Sequence, residues 1–195
     1  MKVGVLALQG AVAEHARALR AAGANEVVSV KRVEDLKDLG GLVLPGGEST
    51  TIGKLMRKYD LMDTVREMAV SGIPMFGTCA GLILLAKRIH GEDYSHLGLM
   101  DIEVDRNSFG RQRESFEVNL NIPVLGEESY PAVFIRAPHI IEAGAGVDIL
   151  CEYDGRIVAA KQGNLLGASF HPELTEDIRL HHYFIDMVAR QKSAS

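Results

Sequence analysis

The chain has 195 residues, of which 47% are hydrophobic and 24% are charged, and its formal net charge is −5. This composition is ordinary for a soluble globular protein, and the length is sufficient for one sizeable core. The acidic balance argues against a nucleic-acid partner, because the lysines and arginines form no cluster that would outweigh it.

Cysteine content and hydropathy restrict the cellular setting. Cys79 and Cys151 are too few for a disulfide framework and lack the C-x-x-C spacing of a metal site, which indicates a reducing compartment. The apolar run 3–8 superficially imitates a signal peptide, but Gln9 interrupts it. No run approaches the ~20 apolar residues of a membrane span. We therefore expect residues 1–195 to form a single cytoplasmic domain without a membrane segment.

Predicted strands and helices alternate in the first half of the sequence. In chain order they are a strand Lys2–Leu8, a helix Ala11–Ala22, strands Glu26–Val30 and Gly41–Leu44, and a helical stretch Leu55–Val70. Such alternation predicts a parallel sheet that is covered by helices on both faces.

The second half reads differently, as short strands separated by turns. The predicted pieces are Leu97–Val104, Ser115–Leu120, Ala132–Arg136, Val147–Tyr153 and Leu165–Phe170, followed by a helix Thr175–Arg190. Asp154-Gly155 and Gln162-Gly163-Asn164 are typical of hairpin turns. We therefore predict an α/β fold with a three-layer, doubly wound, mixed sheet.

A cysteine lies at the apex of a predicted strand-to-helix turn. The apolar run Ile73–Phe76 ends in Gly-Thr-Cys-Ala-Gly, and an apolar run of helical length follows. This is the pattern of a nucleophile elbow, in which Gly77 and Gly81 remove Cβ atoms that would clash. The start of a helix also favours a thiolate at Cys79. The alternative is a buried structural cysteine at a glycine-rich strand end.

The loop Pro45–Thr51 follows the third predicted strand. Its two glycines allow backbone N–H groups to turn outward as an anion nest, and Ser49 or Thr50 can cap the next helix. Loops at the carboxyl edge of a parallel sheet are where ligands bind. An ordinary β-to-α connection explains the same residues equally well.

His171 is the candidate base for a cysteine nucleophile. It ends a strand-like run, and Glu173 lies two residues further on. In an extended segment, which Pro172 favours, these two side chains project to the same side. Glu173 could then hold the imidazole in the tautomer that activates Cys79. The alternative is a plain strand-to-helix connection.

Other histidines and the second cysteine are less promising. His181 and His182 lie inside a predicted helix, so we expect them to be surface or partly buried residues. Cys151 belongs to an apolar strand and is expected in the core. An oxyanion hole requires two donors, for which the N–H of Ala80 and the Gly46-Gly47 loop are candidates.

Several motifs resemble a known family. Three of them, in order, resemble the class I, triad-type glutamine amidotransferases: Leu44–Ser49, Gly77–Gly81 and Phe170–Glu173. Longer segments narrow the resemblance to the glutaminase subunits of pyridoxal 5′-phosphate synthases: Gly4–Gly10, Pro45–Thr50, Arg106–Gln112, Phe134–Pro138 and Ser169–Leu174. The resemblance spans nearly the whole chain and implies a class I glutamine amidotransferase-like, flavodoxin-like fold.

The resemblance implies a reaction and a set of residues. The reaction is hydrolysis of L-glutamine to L-glutamate and ammonia through a thioester, with Cys79, His171 and Glu173 as the triad. Gly47 and Ala80 would form the oxyanion hole, without a metal or cofactor. The implied glutamine contacts are Gly47, Glu48, Ser49, Arg106, Ile135 and Arg136. Guanidinium groups suit the α-carboxylate of glutamine, and carboxylate or carbonyl oxygens suit its α-amino group.

The resemblance also implies a partner, a (β/α)₈-barrel synthase subunit. This subunit would use the ammonia to make pyridoxal 5′-phosphate from ribose 5-phosphate and glyceraldehyde 3-phosphate. Three rival interpretations remain at the level of the sequence. They are an amidotransferase subunit of another pathway, serving imidazole glycerol phosphate, anthranilate or guanylate synthesis, a thiol redox sensor, and a binding subunit without catalysis.

Overall fold

A computed structural model describes residues 1–106, 109 and 114–195. The strands in this part of the chain are β1 (Lys2–Leu6), β2 (Glu26–Val30), β3 (Gly41–Leu44), β4 (Met75–Thr78), β5 (Ala86–Ile89), β6 (Met100–Asp105), β7 (Ser115–Leu120), β8 (Tyr130–Ile135), β9 (His139–Ala143), β10 (Asp148–Tyr153), β11 (Arg156–Gln162) and β12 (Leu165–Ala168). The α-helices are α1 (Val12–Ala21), α2 (Ser49–Lys58), α3 (Leu61–Val70), α4 (Ala80–Leu85) and α5 (Arg179–Ala194).

The described strands form one large mixed sheet and one hairpin. The large sheet has the order β2-β1-β3-β4-β12-β11-β9-β6-β5, with β10 paired to β11, and the hairpin joins β7 to β8. From β2 to β12 the neighbouring strands are parallel, whereas β12-β11, β11-β9 and β9-β6 are antiparallel pairs. The predicted mixed sheet and α/β class are confirmed.

Helices cover both faces of the sheet because its central strands are apolar on both sides. In β3, Leu42 and Leu44 belong to the buried cluster that includes residues of α2, α3 and α4, whereas Val43 between them belongs to the cluster that includes residues of α1, α5 and the β7-β8 hairpin. Each such fully buried side chain contributes roughly 1.5–3 kcal/mol relative to an exposed one. Continuous apolar runs, rather than alternating ones, are therefore what these strands require.

The C-terminal segment differs from its prediction. The expected helix Thr175–Arg190 begins at Arg179 instead and continues to Ala194, after a 3₁₀ turn at Pro172–Leu174. The Asp177 carboxylate accepts hydrogen bonds from the backbone N–H and the guanidinium of Arg179, so it lies before the helix and not in its first turn. A local side-chain-to-backbone turn at Asp177 therefore precedes α5, whose N-cap residue Ile178 makes no side-chain cap hydrogen bond.

Three neighbouring parallel strands end at one edge of the sheet. β3, β4 and β12 lie side by side, with Leu44 level with Gly77 and Ala168 level with Thr78. The chain segments that follow these strands therefore meet at the carboxyl edge, which is where α/β sheets bind ligands. No helix of the described residues is both long and apolar enough to cross a membrane.

Candidate active site

Cys79 occupies the sharp turn between β4 and α4. Its backbone has φ 52° and ψ −108°, a conformation that side-chain-bearing residues rarely adopt. The neighbouring glycines are required by space: a Cβ on Gly81 would lie 1.9 Å from the carbonyl oxygen of Leu44, and one on Gly77 would lie 2.4 Å from that of Gly81. The predicted crowding at Gly77 and Gly81 is confirmed, and Cys79 itself is buried at this turn.

His171 follows β12 and lies beside the cysteine. A Cβ placed on Gly46 would be 2.7 Å from Cε1 of His171 and 3.4 Å from Cβ of Cys79, so both side chains converge over this glycine. The backbone N–H of His171 donates to the carbonyl of Val133 at 2.8 Å, which ties the segment to the β7-β8 hairpin. The imidazole is thereby held at the carboxyl edge of the sheet.

Glu173 contacts the imidazole, although not through the predicted extended segment. Residues 172–174 form a 3₁₀ turn, and this turn brings Oε1 of Glu173 to 2.7 Å from Nδ1 of His171. The carboxylate is buried. Since Nδ1 is engaged by Glu173, the other ring nitrogen is left for the thiol.

The surroundings of His171 favour its protonated form. Burial alone would lower the pKa of His171, but its hydrogen bonds to Cys79 and Glu173 and the charges of both groups raise that pKa to about 10. An imidazolium stabilises a neighbouring thiolate, which is the nucleophilic form of cysteine. The arrangement can therefore attack an electrophilic carbon and transfer a proton to the leaving group.

A cavity of about 560 Å³ opens in front of the cysteine. Its lining contains Gln9, Gly47, Glu48, Ser49, Cys79, Ala80, Ile83, Arg106, Ile135, Arg136 and His171. Every site residue predicted from the sequence lines this cavity except Glu173, which lies behind His171. The volume lies within the range of small-molecule binding sites.

Two backbone positions beside Cys79 are the candidates for an oxyanion hole. Ala80 is the first residue of α4, so its N–H has no acceptor within the helix. Gly47, with φ +141°, lines the same cavity on the loop after β3. A Cβ there would lie 2.6 Å from Oε1 of Gln9, which explains the need for glycine.

Two arginines face the cavity from different elements. The Arg106 guanidinium donates to the Tyr94 hydroxyl at 3.3 Å and pairs with the Glu92 carboxylate. Arg136 follows β8 with φ 42°, next to Ile135, whose carbonyl oxygen lies 3.8 Å from Sγ of Cys79. Of the predicted motif Arg106–Gln112, only Arg106 and Phe109 belong to the described residues.

Glu48 caps helix α2, a role that the sequence had indicated for Ser49 or Thr50. Its carboxylate accepts hydrogen bonds from the N–H groups of Thr50 and Thr51, at 3.1 and 2.7 Å, and from the Thr51 hydroxyl. These bonds, led by that of the hydroxyl, lower the pKa of Glu48 to about 2. A carboxylate has about four acceptor sites, so Glu48 can still accept a bond from a ligand.

Replacing Glu48 with alanine is expected to lower the free energy of unfolding by about 1 kcal/mol at pH 7, as for other caps. Because folding depresses the pKa of this group from 4.5 to about 2, the stabilisation is fully present above pH 4.5. It is lost as the pH falls towards 2. Urea unfolding of both proteins across this range measures the difference. Glu67→Ala, an exposed glutamate within α3, is the control, and a difference that stays constant with pH would contradict the assignment.

The sequence analysis missed four residues at or behind this site. Gln9 and Ile83 line the cavity, and Oε1 of Gln9 accepts a hydrogen bond from the Glu48 N–H at 2.6 Å. His15 and His181 are completely buried behind Glu173, so the expectation of a surface or partly buried His181 was wrong. Gln9 follows the carboxyl end of β1, and that position was a usable signal. Within the described ranges, no cluster of three or more His, Cys, Asp or Glu side chains could hold a metal ion.

An elbow cysteine with a histidine–glutamate pair, at the carboxyl edge of a mixed sheet, is the arrangement expected of a triad-type glutamine amidotransferase. The chain belongs to the SNO glutamine amidotransferase family, whose model matches residues 5–190. It is 64% identical over 195 residues to the pyridoxal 5′-phosphate synthase subunit PdxT of Geobacillus kaustophilus (strain HTA426), covering 100% of this chain and 98% of that relative.

One solved structure agrees with the family, and a second agrees with the fold. A crystal structure of a glutamine amidotransferase matches with a TM-score of 0.90 and 49% identity, over 96% of this chain and 98% of the other. The structure of PurLQS from Thermotoga maritima matches with a TM-score of 0.71 and 19% identity, over 97% of each chain. The second likeness concerns the fold alone.

Proposed function

We propose that this chain is the glutaminase subunit of a pyridoxal 5′-phosphate synthase, and that residues 1–195 act as one cytoplasmic glutaminase domain. The observation that carries the proposal is the convergence of Cys79 and His171 on a cavity that two arginines also line, with Glu173 bound to His171 from behind. Membership of the SNO glutamine amidotransferase family and 64% identity to a synthase subunit support it.

In the proposed reaction, Cys79 and His171 act as a nucleophile and an acid–base pair. The Cys79 thiolate attacks the amide carbon of L-glutamine, and the resulting oxyanion is stabilised by the N–H groups of Gly47 and Ala80. His171 gives its proton to the departing amide nitrogen, so that ammonia leaves and a thioester forms on Sγ. His171 then takes a proton from a water molecule, which attacks the thioester and releases L-glutamate.

Substrate recognition follows from the polar groups around the cavity. We propose that Arg106 and Arg136 bind the α-carboxylate of glutamine, since a guanidinium offers five N–H donors in a planar fork. The Arg106 contacts with Glu92 and Tyr94 leave some of these donors for a ligand. Glu48, Ser49 and the carbonyl of Ile135 are proposed to complete the contacts to the substrate.

The proposed partner is a synthase subunit of the (β/α)₈-barrel type. It would receive the ammonia and combine it with ribose 5-phosphate and glyceraldehyde 3-phosphate to make pyridoxal 5′-phosphate. Glutamine hydrolysis without an acceptor would waste the substrate, so we propose that docking of the partner stimulates the reaction.

The test is glutamate release from L-glutamine by the chain alone and with the synthase subunit of the same organism. We expect release to rise when the synthase is added, and L-asparagine, which is one methylene shorter, to be hydrolysed far more slowly. Equal turnover with and without the synthase would contradict the partner. Absence of glutamate release in both conditions would contradict the glutaminase itself and favour a thiol sensor.

A further inference from the structure

A chain of buried polar side chains continues behind Glu173. Nε2 of His15, in α1, is 3.4 Å from Oε2 of Glu173 and 3.3 Å from Oγ1 of Thr78. Nδ1 of His15 is 2.9 Å from Nε2 of His181, in α5. All four side chains are buried, with exposed fractions of 0–2%. Three separate elements therefore bring polar atoms to the side of Glu173 that faces away from the cavity.

The carboxylate of Glu173 determines the protonation of both histidines. Oε1 of Glu173 accepts from His171, whereas Oε2 is buried and has no partner within normal hydrogen-bond distance among the described residues. A buried carboxylate needs donors on both oxygens, and His15 Nε2 is the nitrogen that faces Oε2. With the proton on Nε2, His15 Nδ1 is an acceptor and His181 Nε2–H must donate to it.

Nδ1 of His181, the last nitrogen in this series of buried side chains, agrees with this assignment of protons. Nδ1 of His181 is buried and has no hydrogen-bond partner in the described part of the chain. In the assigned tautomer this nitrogen carries a lone pair and no proton, so no N–H group is left without an acceptor. The opposite direction of donation would bury an unsatisfied N–H there and turn a lone pair of His15 towards a carboxylate.

Both histidines are uncharged at neutral pH. Burial, together with the nearby His181 and His171, holds the pKa of His15 well below its usual range, and burial lowers the pKa of His181 to about 4. His15 therefore offers Glu173 a hydrogen bond without a second positive charge. The charge of the carboxylate stays available to the imidazolium of His171.

We propose that His15 is a positioning residue of this site: its Nε2–H donates to Oε2 of Glu173 and fixes the carboxylate that orients His171, while His181 fixes the tautomer of His15. The inference rests on the proposed glutaminase function, because it assigns a role within that reaction. The separation of 3.4 Å is that of a loose contact, of the kind that tightens when substrate binds.

Burial alone does not lead to this inference. His96 is buried too, yet neither of its ring nitrogens has a hydrogen-bond partner in the described residues, as expected for an imidazole that only fills space. His15 differs because polar atoms of Thr78, Glu173 and His181 surround it. A residue needed only for packing would not require this set of neighbours.

The test compares His15→Leu with His15→Gln in the complex with the synthase. Leucine keeps the approximate volume but removes the donor, so we expect kcat for glutamate release to fall about 10- to 100-fold, the range of outer-shell hydrogen bonds to a functional imidazole. KM should change less than about 2-fold, since His15 does not line the cavity. Glutamine can still donate to Glu173 and accept from His181, and it should restore most of the rate.

A pH profile separates positioning from packing. The titratable groups that face His15 are His181 from α5, and Glu173 and His171 from the segment after β12. Loss of the His15 donor changes the position of the carboxylate whose charge and hydrogen bond raise the pKa of His171, so the acid limb of kcat/KM should shift in His15→Leu but not in His15→Gln. Alkylation of Cys79 by iodoacetamide at neutral pH, in a Cys151→Ala background, should be slower in His15→Leu than in His15→Gln.

Phe184→Leu is the matched control for lost packing. Phe184 is fully buried in α5 and packs on Phe76, which also contacts the ring of His181. The Phe184→Leu variant should have a lower thermal stability, and the acid limb of its kcat/KM profile should coincide with that of the wild type. If His15→Leu does not fold, His181→Phe keeps the aromatic packing and should still shift the limb. If the wild type is active and His15→Leu has the same rate and pH profile, the positioning role alone is overturned. If the wild type itself is inactive, the proposed function is overturned.

Discussion

Replacing Cys79 with alanine is expected to reduce glutamate release by the complex at least about 10⁴-fold, because loss of a nucleophile leaves only binding and oxyanion stabilisation. The variant should fold normally. Alanine has the same Cβ as cysteine at the strained backbone conformation of φ 52°, and only the sulfur atom is removed. Glutamate release per mole of complex, with thermal unfolding of the isolated chain, measures both quantities.

Cys151→Ala is the matched control for this substitution. Cys151 is also a buried free thiol, but burial and the nearby Glu152 raise its pKa to about 11, so it remains protonated and unreactive at neutral pH. It lies in β10, away from the residues that line the cavity. We expect Cys151→Ala to keep nearly full activity. Substantial glutamate release by Cys79→Ala would contradict the thioester route.

Replacing Glu173 with glutamine is expected to lower kcat about 10³- to 10⁴-fold, as for the loss of the carboxylate in comparable triads. An amide has one acceptor oxygen, whereas His171 and His15 each present an N–H to one oxygen of the carboxylate. One of the two imidazoles must therefore face an NH₂ group. The imidazolium of His171 also loses the charge that contributes to its raised pKa.

A comparison of two substitutions at Glu173 makes this prediction specific. Glu173→Asp retains the charge on a shorter side chain and should be more active than Glu173→Gln if charge matters most. If orientation through both oxygens matters most, the two variants should be similarly impaired. A Glu173→Gln variant with more than about a tenth of the wild-type kcat would contradict the role assigned to Glu173.

Local sequence patterns predicted many strands, because those of the central sheet are short apolar runs and β7 of the hairpin lies between turns. The predicted bounds of Glu26–Val30, Gly41–Leu44 and Ser115–Leu120 coincide with β2, β3 and β7. The turns at Asp154-Gly155 and Gln162–Asn164 join antiparallel strands, as predicted. β5 and β9 were missed. Their residues do not indicate strands, and their extended conformation is stabilised by pairing with β6.

The parts of the site that sequence could not supply depend on tertiary contacts. His15 lies 166 residues from His181, and no spacing rule relates them. The cap of α2 was assigned to the wrong residue because Glu48 is not among the usual capping types. Gln9 and Ile83 enter the cavity only because the segments that contain them lie beside β3 and β4. Proximity after folding, rather than residue type, identifies these groups.

A growing polypeptide acquires Cys79 long before it can acquire His171. β12 is late in the chain, yet it occupies the middle of the sheet, between β4 and β11. Until residues 165–168 have left the ribosome, one edge of β4 has no neighbour, and unpaired edges invite non-native association. The elbow thiol likewise has no base during this time. A chain that ends before β12 therefore has the nucleophile but neither its base nor a complete central sheet.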